Sequence, residues 1–160
     1  PKQAKKKPST HNISNKHKKT QETLIDKPGP ISSGEIEQST ESVVYGNELF
    51  SMEKYEEAIK SFDKSLQIDP GNNTAWNNKG MALARSGKFA EAIQCYDKAL
   101  EINPDDYVVL NNKGSTLYKK GNIKEAMECY KSALDLNAES GTAIHGMEIC
   151  LKYLKKSMKN

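Results

Sequence analysis

Apolar side chains recur at gaps of four, three and four residues, as at Phe89, Ile93, Tyr96 and Leu100, with charged and amide residues between them. Such spacing gathers the apolar groups along one side of an α-helix, and the alternation expected of strands is missing. The pattern predicts helices from Thr74 to Ser86 and from Lys88 to Ile102. Each is too short to persist alone, because isolated helices below about 12–15 residues are marginal in water, so the helices must lean on each other. Gly87 and Gly121 stand where one helix stops and the next begins, at a tight reversal or a positive φ. Asp69-Pro70 and Asn103-Pro104 close the second helix of a unit, since proline disfavours α geometry at the residue before it. Each unit reads as an antiparallel helical hairpin.

The units repeat. WNNKG at 76–80 returns as LNNKG at 110–114, an interval of 34 residues. At the same step Gly46, Gly80 and Gly114 form one column, Ala58, Ala92 and Ala126 another, Phe62, Tyr96 and Tyr130 a third, and Leu66, Leu100 and Leu134 a fourth. A fixed period of this size signals a solenoid of stacked units rather than a closed globule. Glycine and alanine recur where two helix backbones approach closely, and the aromatics fill the space beside them. Cys95 and Cys129 share a column with Ser61, which marks close-packed helix positions; together with Cys150 they make an odd count without a C-x-x-C pair, so reduced thiols are expected.

The stretch WNNKGMALARSGKFAEAIQCYDKALEINP, with Trp76, Gly80, Leu83, Phe89, Ala92, Tyr96, Ala99 and Pro104 at the characteristic places, resembles the tetratricopeptide repeat, and the likeness runs from about residue 39 to the C-terminus. The resemblance implies an all-α solenoid of three hairpins, at about 39–72, 73–106 and 107–140, wound as a right-handed superhelix whose first helices line a concave groove. The first unit departs from the pattern at Ser42 and Ser65, and the third has Ala138 for the proline. A last helix at about 141–158 carries Ile144, Met147, Leu151, Leu154 and Met158 on one stripe and Lys152, Lys155, Lys156 and Lys159 elsewhere. It reads as the cap that a solenoid needs over its apolar end, in preference to a basic amphipathic helix lying on a membrane.

Charge separates a tail from this body. The chain has a formal net charge of +3, but residues 1–38 alone contribute +4, eight lysines against four acids. That segment is rich in Lys, Ser, Thr, Pro and Gly and lacks core formers, so disorder is expected from 1 to 38. Its clusters KKKP at 5–8 and KHKK at 16–19 could touch nucleic acid or an acidic membrane, but no aromatic side chains interleave for base stacking, and a solvated linker is the favoured reading. No apolar run exceeds about four residues, so neither a membrane span nor a secretory signal is expected, and a cytoplasmic setting follows. The chain opens on Pro1, which suggests a piece of something longer.

The groove residues then become the candidate site. The register places Val43, Asn47 and Phe50, then Asn77, Asn78, Met81 and Arg85, then Val108, Asn111, Asn112, Ser115, Tyr118 and Lys119, then Ile149 and Tyr153, along the inner curve. Asparagine is a mediocre helix residue, so the two NN pairs invite a reason, and a carboxamide can pair with both C=O and N–H of an extended peptide. Asn78 and Asn112 match the asparagine ladder that the resemblance to repeats of O-linked N-acetylglucosamine transferase implies, while Val44 breaks it in the first unit. Family members that grip a chaperone's C-terminal carboxylate use two lysines, two asparagines and an arginine; here Asn47 and Asn78 fit, but Val43, Val108 and Asn112 replace the cations, so that ligand is not expected. No G-x-S-x-G, phosphate loop or paired histidines occur, and His145 is the one histidine outside the tail. The expectation is a noncatalytic binding module without cofactor or metal, taking a protein or peptide partner. The rival readings are end-to-end self-assembly, which would leave it a monomer or a weak self-associating species, and attachment through the lysine tail.

Overall fold

The computed structural model describes residues 29–159. Among the described residues there are seven α-helices and no strand: α1 (Ser33–Ser51), α2 (Tyr55–Ile68), α3 (Asn73–Arg85), α4 (Phe89–Ile102), α5 (Tyr107–Lys120), α6 (Ile123–Leu136) and α7 (Gly141–Ser157). None is long and apolar enough to cross a membrane. The expected disorder of the tail falls mainly on residues 1–28, which lie outside the described residues, but its boundary needs correcting. Helix begins at Ser33 because Ser32 caps it: the Ser32 hydroxyl accepts from the Glu35 amide at 3.3 Å, and the Glu35 carboxylate accepts from the Ser32 amide at 2.9 Å. This reciprocal box satisfies two otherwise orphaned donors and adds turns ahead of the first repeat.

Helices pair in sequence, α1 with α2, α3 with α4 and α5 with α6, and each hairpin packs on the next, with α7 lying on α6 and touching α5. First helices also touch across hairpins, α1 with α3, α3 with α5 and α5 with α7, whereas the second helices α2, α4 and α6 make no such contact with one another. The row of first helices is therefore the shorter, inner side of a curved stack.

One joint recurs. A Cβ built on Gly46, Gly80 or Gly114 would fall 2.5, 2.6 or 2.8 Å from the ring of Phe62, Tyr96 or Tyr130 respectively, so each aromatic lies directly on the backbone of its partner helix. Any larger residue there would have to push the ring away. Within each hairpin the first helix ends on a residue of positive φ, Glu53 at 60°, Gly87 at 79° and Gly121 at 93°, and the next amide donates to the carbonyl five residues back. Glycine adopts this geometry freely; Glu53 does so at a cost of about 1 kcal/mol.

Polar links tie the hairpins together. The Lys79 ammonium lies 2.6 Å from Asp63, and Lys113 lies 2.6 Å from Asp97, one repeat later. The lysine of NNKG is thus a bridge between hairpins as well as a stem laid on apolar neighbours. Ser65, which departs from the alanine column, is matched by Ser39: their hydroxyls are 2.8 Å apart inside the first hairpin. A hollow of about 380 Å³ beside Ser42, between α1 and α2, recurs one repeat later beside Trp76 at about 370 Å³.

Candidate functional site

Four carboxamides on the inner helices form one directed chain. Asn112 Nδ2 donates to Asn77 Oδ1 at 3.0 Å, Asn77 Nδ2 to Asn78 Oδ1 at 3.1 Å, and Asn78 Nδ2 to Asn47 Oδ1 at 2.8 Å. The chain crosses α5, α3 and α1, so it spans all three hairpins. Its register is not strictly periodic, because Met81 occupies the place that Asn47 holds one repeat earlier and offers only a thioether, 3.8 Å from Asn77 Nδ2. Asn112 therefore reaches to Asn77 instead.

Two cavities open beside this chain. One, of about 300 Å³, lies between α3 and α5 and is lined by Met81, Arg85, Tyr96, Asn112, Ser115 and Lys119 among others. The second, of about 500 Å³, lies between α5 and α7, where Ser115, Tyr118, Lys119, Tyr130, Gly146 and Ile149 form its walls. Ser115 and Lys119 belong to both. The Tyr130 hydroxyl donates to Ser115 Oγ at 3.1 Å, and the Tyr118 and Tyr153 rings meet edge to face with centroids 6.5 Å apart. Tyr153 thus joins α7 to α5.

Of the expected groove residues, Asn47, Asn77, Asn78 and Asn112 are brought together by the amide chain, and Met81, Arg85, Ser115, Tyr118, Lys119 and Ile149 by the cavities. Three placements differ. Asn111 is only 6% exposed and turns toward the following loop, donating to Ser140 Oγ at 2.9 Å with its Oδ1 left without a partner. Ser140 caps α7, so Asn111 secures a helix start and is not a groove residue. Val43 is buried in the first hairpin's core, and Phe50 packs against that core with its ring edge to face with Tyr55 at 5.4 Å. The helical wheel shows the side on which a residue lies; a neighbouring loop or aromatic can still draw it inward. The lining residues Thr142 and Gly146 were missed, although the column Asn78, Asn112, Gly146 at 34-residue steps carried the signal, and His145, which reads as a groove or surface residue, joins them.

Electrostatics separate structural from free charges. Burial works against the charge of Lys113, but its hydrogen bond and ion pair with Asp97 outweigh this and raise its pKa. Arg85 and Lys119 make no ion pair among the described residues, and no carboxylate lines either cavity. Burial pushes the Cys95 thiol up to about 11 and the Tyr96 phenol up to about 12, so both stay neutral at physiological pH.

Comparison with solved structures gives the same fold in domains of low identity. The first tetratricopeptide domain of Spaghetti (RPAP3), bound to the HSP90 peptide SRMEEVD, superposes with a TM-score of 0.73 at 24% identity over 75% of this chain and 95% of that one. The tetratricopeptide domain of Sgt2 from Aspergillus fumigatus gives 0.73 at 20% identity, over 76% and 82% of the two chains. The second such domain of human RPAP3, in complex with the HSP70 peptide SGPTIEEVD, gives 0.67 at 20% identity, over 73% and 95%. Comparison with curated proteins gave no match. The family pattern described as tetratricopeptide repeat matches residues 74–106 and 107–140, and a second, described as TPR repeat, matches 46–87. Together these matches run from the first glycine-aromatic joint to the last, and the chain belongs to the tetratricopeptide repeat family.

Proposed function

We propose that this chain is a noncatalytic adaptor that holds an extended peptide segment of a partner protein along the inner face of α1, α3, α5 and α7. The observation that carries this reading is the amide chain from Asn112 to Asn47. A carboxamide has two N–H hydrogens and two lone pairs. Asn78 uses one of each, Asn112 only donates and Asn47 only accepts, so these asparagines are held in place while keeping capacity for the C=O and N–H groups of a passing backbone. Preorganisation of this kind lowers the entropy cost of binding. The solved neighbours bound to SRMEEVD and SGPTIEEVD lend support to a peptide partner. Those two sequences end in acidic residues, and a grip of the family's carboxylate-binding kind is not expected here, because Val43, Val108 and Asn112 stand at the cationic places.

Affinity near 1 μM, about −8 kcal/mol, is the expected scale for a groove of this size. Replacing Asn78→Ala and Asn112→Ala together removes two rungs, each hydrogen bond being worth about 0.5–1.5 kcal/mol. Calorimetry against a peptide selected from a display library should then show a loss of about tenfold or more while circular dichroism shows the stack still folded, with a lowered melt as the amide chain is broken; equal affinity for the two proteins would rule out the rungs as contacts.

End-to-end association is favoured by one further observation. Val44 and Tyr45 occupy the columns of Asn78 and Lys79, which reach back to the preceding hairpin, and both are exposed. Ile144, Leu151 and Met158 are exposed at the other end. Light scattering over a hundredfold concentration range would expose such association as a rising mass, and a constant monomer mass would dismiss it.

A further inference from the structure

The column Asn78, Asn112, Gly146 loses its side chain at the third place. A Cβ on Gly146 would collide with the Tyr130 ring, which also lies against Gly114, so the tyrosine is clasped between two glycines of neighbouring inner helices. The rung that would continue the amide chain is absent, and in its place opens the cavity of about 500 Å³ between α5 and α7. Its apolar walls are the Tyr118, Tyr130 and Ile149 side chains beside the backbone at Gly146, with Thr142 and His145 at its edge on α7. The adjoining cavity shares Ser115 and Lys119 with it and adds Arg85. Lys79, Lys88, Lys98 and Lys113 are held in ion pairs on the stack; Arg85 and Lys119, 34 positions apart on the inner face, make none among the described residues. A hollow whose walls are mostly apolar, next to two cations without ion pairs among the described residues and with no carboxylate in its lining, favours one bulky apolar group beside one anion.

Resting on the groove reading above, we infer that the double cavity selects a peptide segment carrying a bulky apolar residue, aromatic or long aliphatic, seated between α5 and α7, and an acidic residue held between Arg85 and Lys119. Packed helices lie about 8–10 Å apart, and an extended chain advances about 3.3 Å per residue. The acidic and apolar residues of the ligand are therefore two or three positions apart. The amide chain contributes backbone contacts that any extended peptide can use, while the double cavity supplies the choice among peptides.

The test is selection of a displayed library of random twelve-residue peptides on the full chain, followed by calorimetry with the enriched peptides. Enrichment of Asp or Glu two or three places from Phe, Tyr, Trp, Leu, Ile or Met is expected. Selection repeated on Arg85→Glu with Lys119→Glu, both exposed positions, should replace the acid with Lys or Arg. Thr142→Trp, which fills the α5–α7 cavity from an exposed position at its edge, should weaken the enriched peptides at least tenfold without moving the thermal melt. Enriched peptides that lack this spacing, or whose affinity is unmoved by the charge reversal and the tryptophan, overturn the inference. If those same peptides still weaken with Asn78→Ala and Asn112→Ala, the groove reading stands without it. A selection that yields no binder overturns both.

Discussion

The junctions between α4 and α5 and between α6 and α7 each follow a hairpin closed by the same glycine–aromatic joint, and they differ in the contacts made across them. In the middle of the stack Tyr96 lies on Gly80, and Asn112 and Lys113 of α5 reach back to Asn77 and Asp97. At the end Tyr130 lies on both Gly114 and Gly146, but the rung is Gly146, Met147 stands for Lys113, and Lys131 stands for Asp97. The glycine column itself is broken there by Glu148, so the close seat for a ring from a further second helix is lacking on α7. The aromatic joint builds the stack wherever it recurs. The polar residues around it are free to vary, and with them the hollow on the inner face grows from about 300 Å³ at the middle junction to about 500 Å³ at the last.

Removing a ring tests this contrast most severely. Tyr96→Ala should cost about 3–5 kcal/mol, as large aromatic truncations in cores do, and because hairpin 2 has neighbours on both sides the loss should appear in global denaturant unfolding. Tyr130→Ala removes as large a side chain but faces only α5 and α7, so the damage should concentrate in α7, where hydrogen exchange would reach the whole helix before the rest of the stack. Equal exchange throughout both variants would mean that the two junctions are mechanically the same.

Thiol chemistry gives a second, smaller contrast. Cys129 is 9% exposed and Cys150 is fully buried at 0%, so a static reading has Cys129 react first with an aromatic disulfide. Burial raises the pKa of both thiols and of Cys95, and each must be uncovered before its thiolate forms. Cys150 sits on α7, whose Leu151 is 42% exposed where the corresponding Leu117 of α5 is 3%. If α7 opens at lower cost than the hairpins, Cys150 should be labelled first, by about tenfold for each 1.4 kcal/mol of difference. Mass spectrometry of partially labelled protein reads the order, and labelling of Cys129 first would show that α7 holds as firmly as the rest.

These contrasts also mark what could be read from the residues alone. The hairpins, their ends at glycine and proline, and the columns of Gly80, Ala92 and Tyr96 were legible, because backbone approach and helical period leave direct traces in residue type. The start of α1 was not, since one Ser32-Glu35 box decides it against a polar composition. Asn111 was misplaced because it and Asn77 look alike in sequence; the serine cap of α7, twenty-nine positions on, draws Asn111 inward. The pairing of Lys79 with Asp63 and of Lys113 with Asp97 follows from how hairpins sit on each other, which no single repeat contains.

The lysine-aspartate pairs give the finest contrast. Lys113 and Asp97 are partly exposed, with side chains 24% and 47% accessible, so water and salt weaken the pair and its worth should be no more than about 1 kcal/mol. Lys131→Asp with Met147→Lys writes the same pair into the α6–α7 junction, at the positions 34 residues further on. A double-mutant cycle separates the coupling from the loss of the Met147 side chain, which packs against the core of the last hairpin. The expected coupling is about 0.5 kcal/mol, visible as slower exchange in α7 at low salt and gone near 1 M, where the screening length falls to about 3 Å. Coupling of that size at the end, matched by an equal loss for Asp97→Lys with Lys113→Met in the middle, would mean that the bridge is interchangeable between junctions. The missing rung at Gly146 would then be what makes the last junction different.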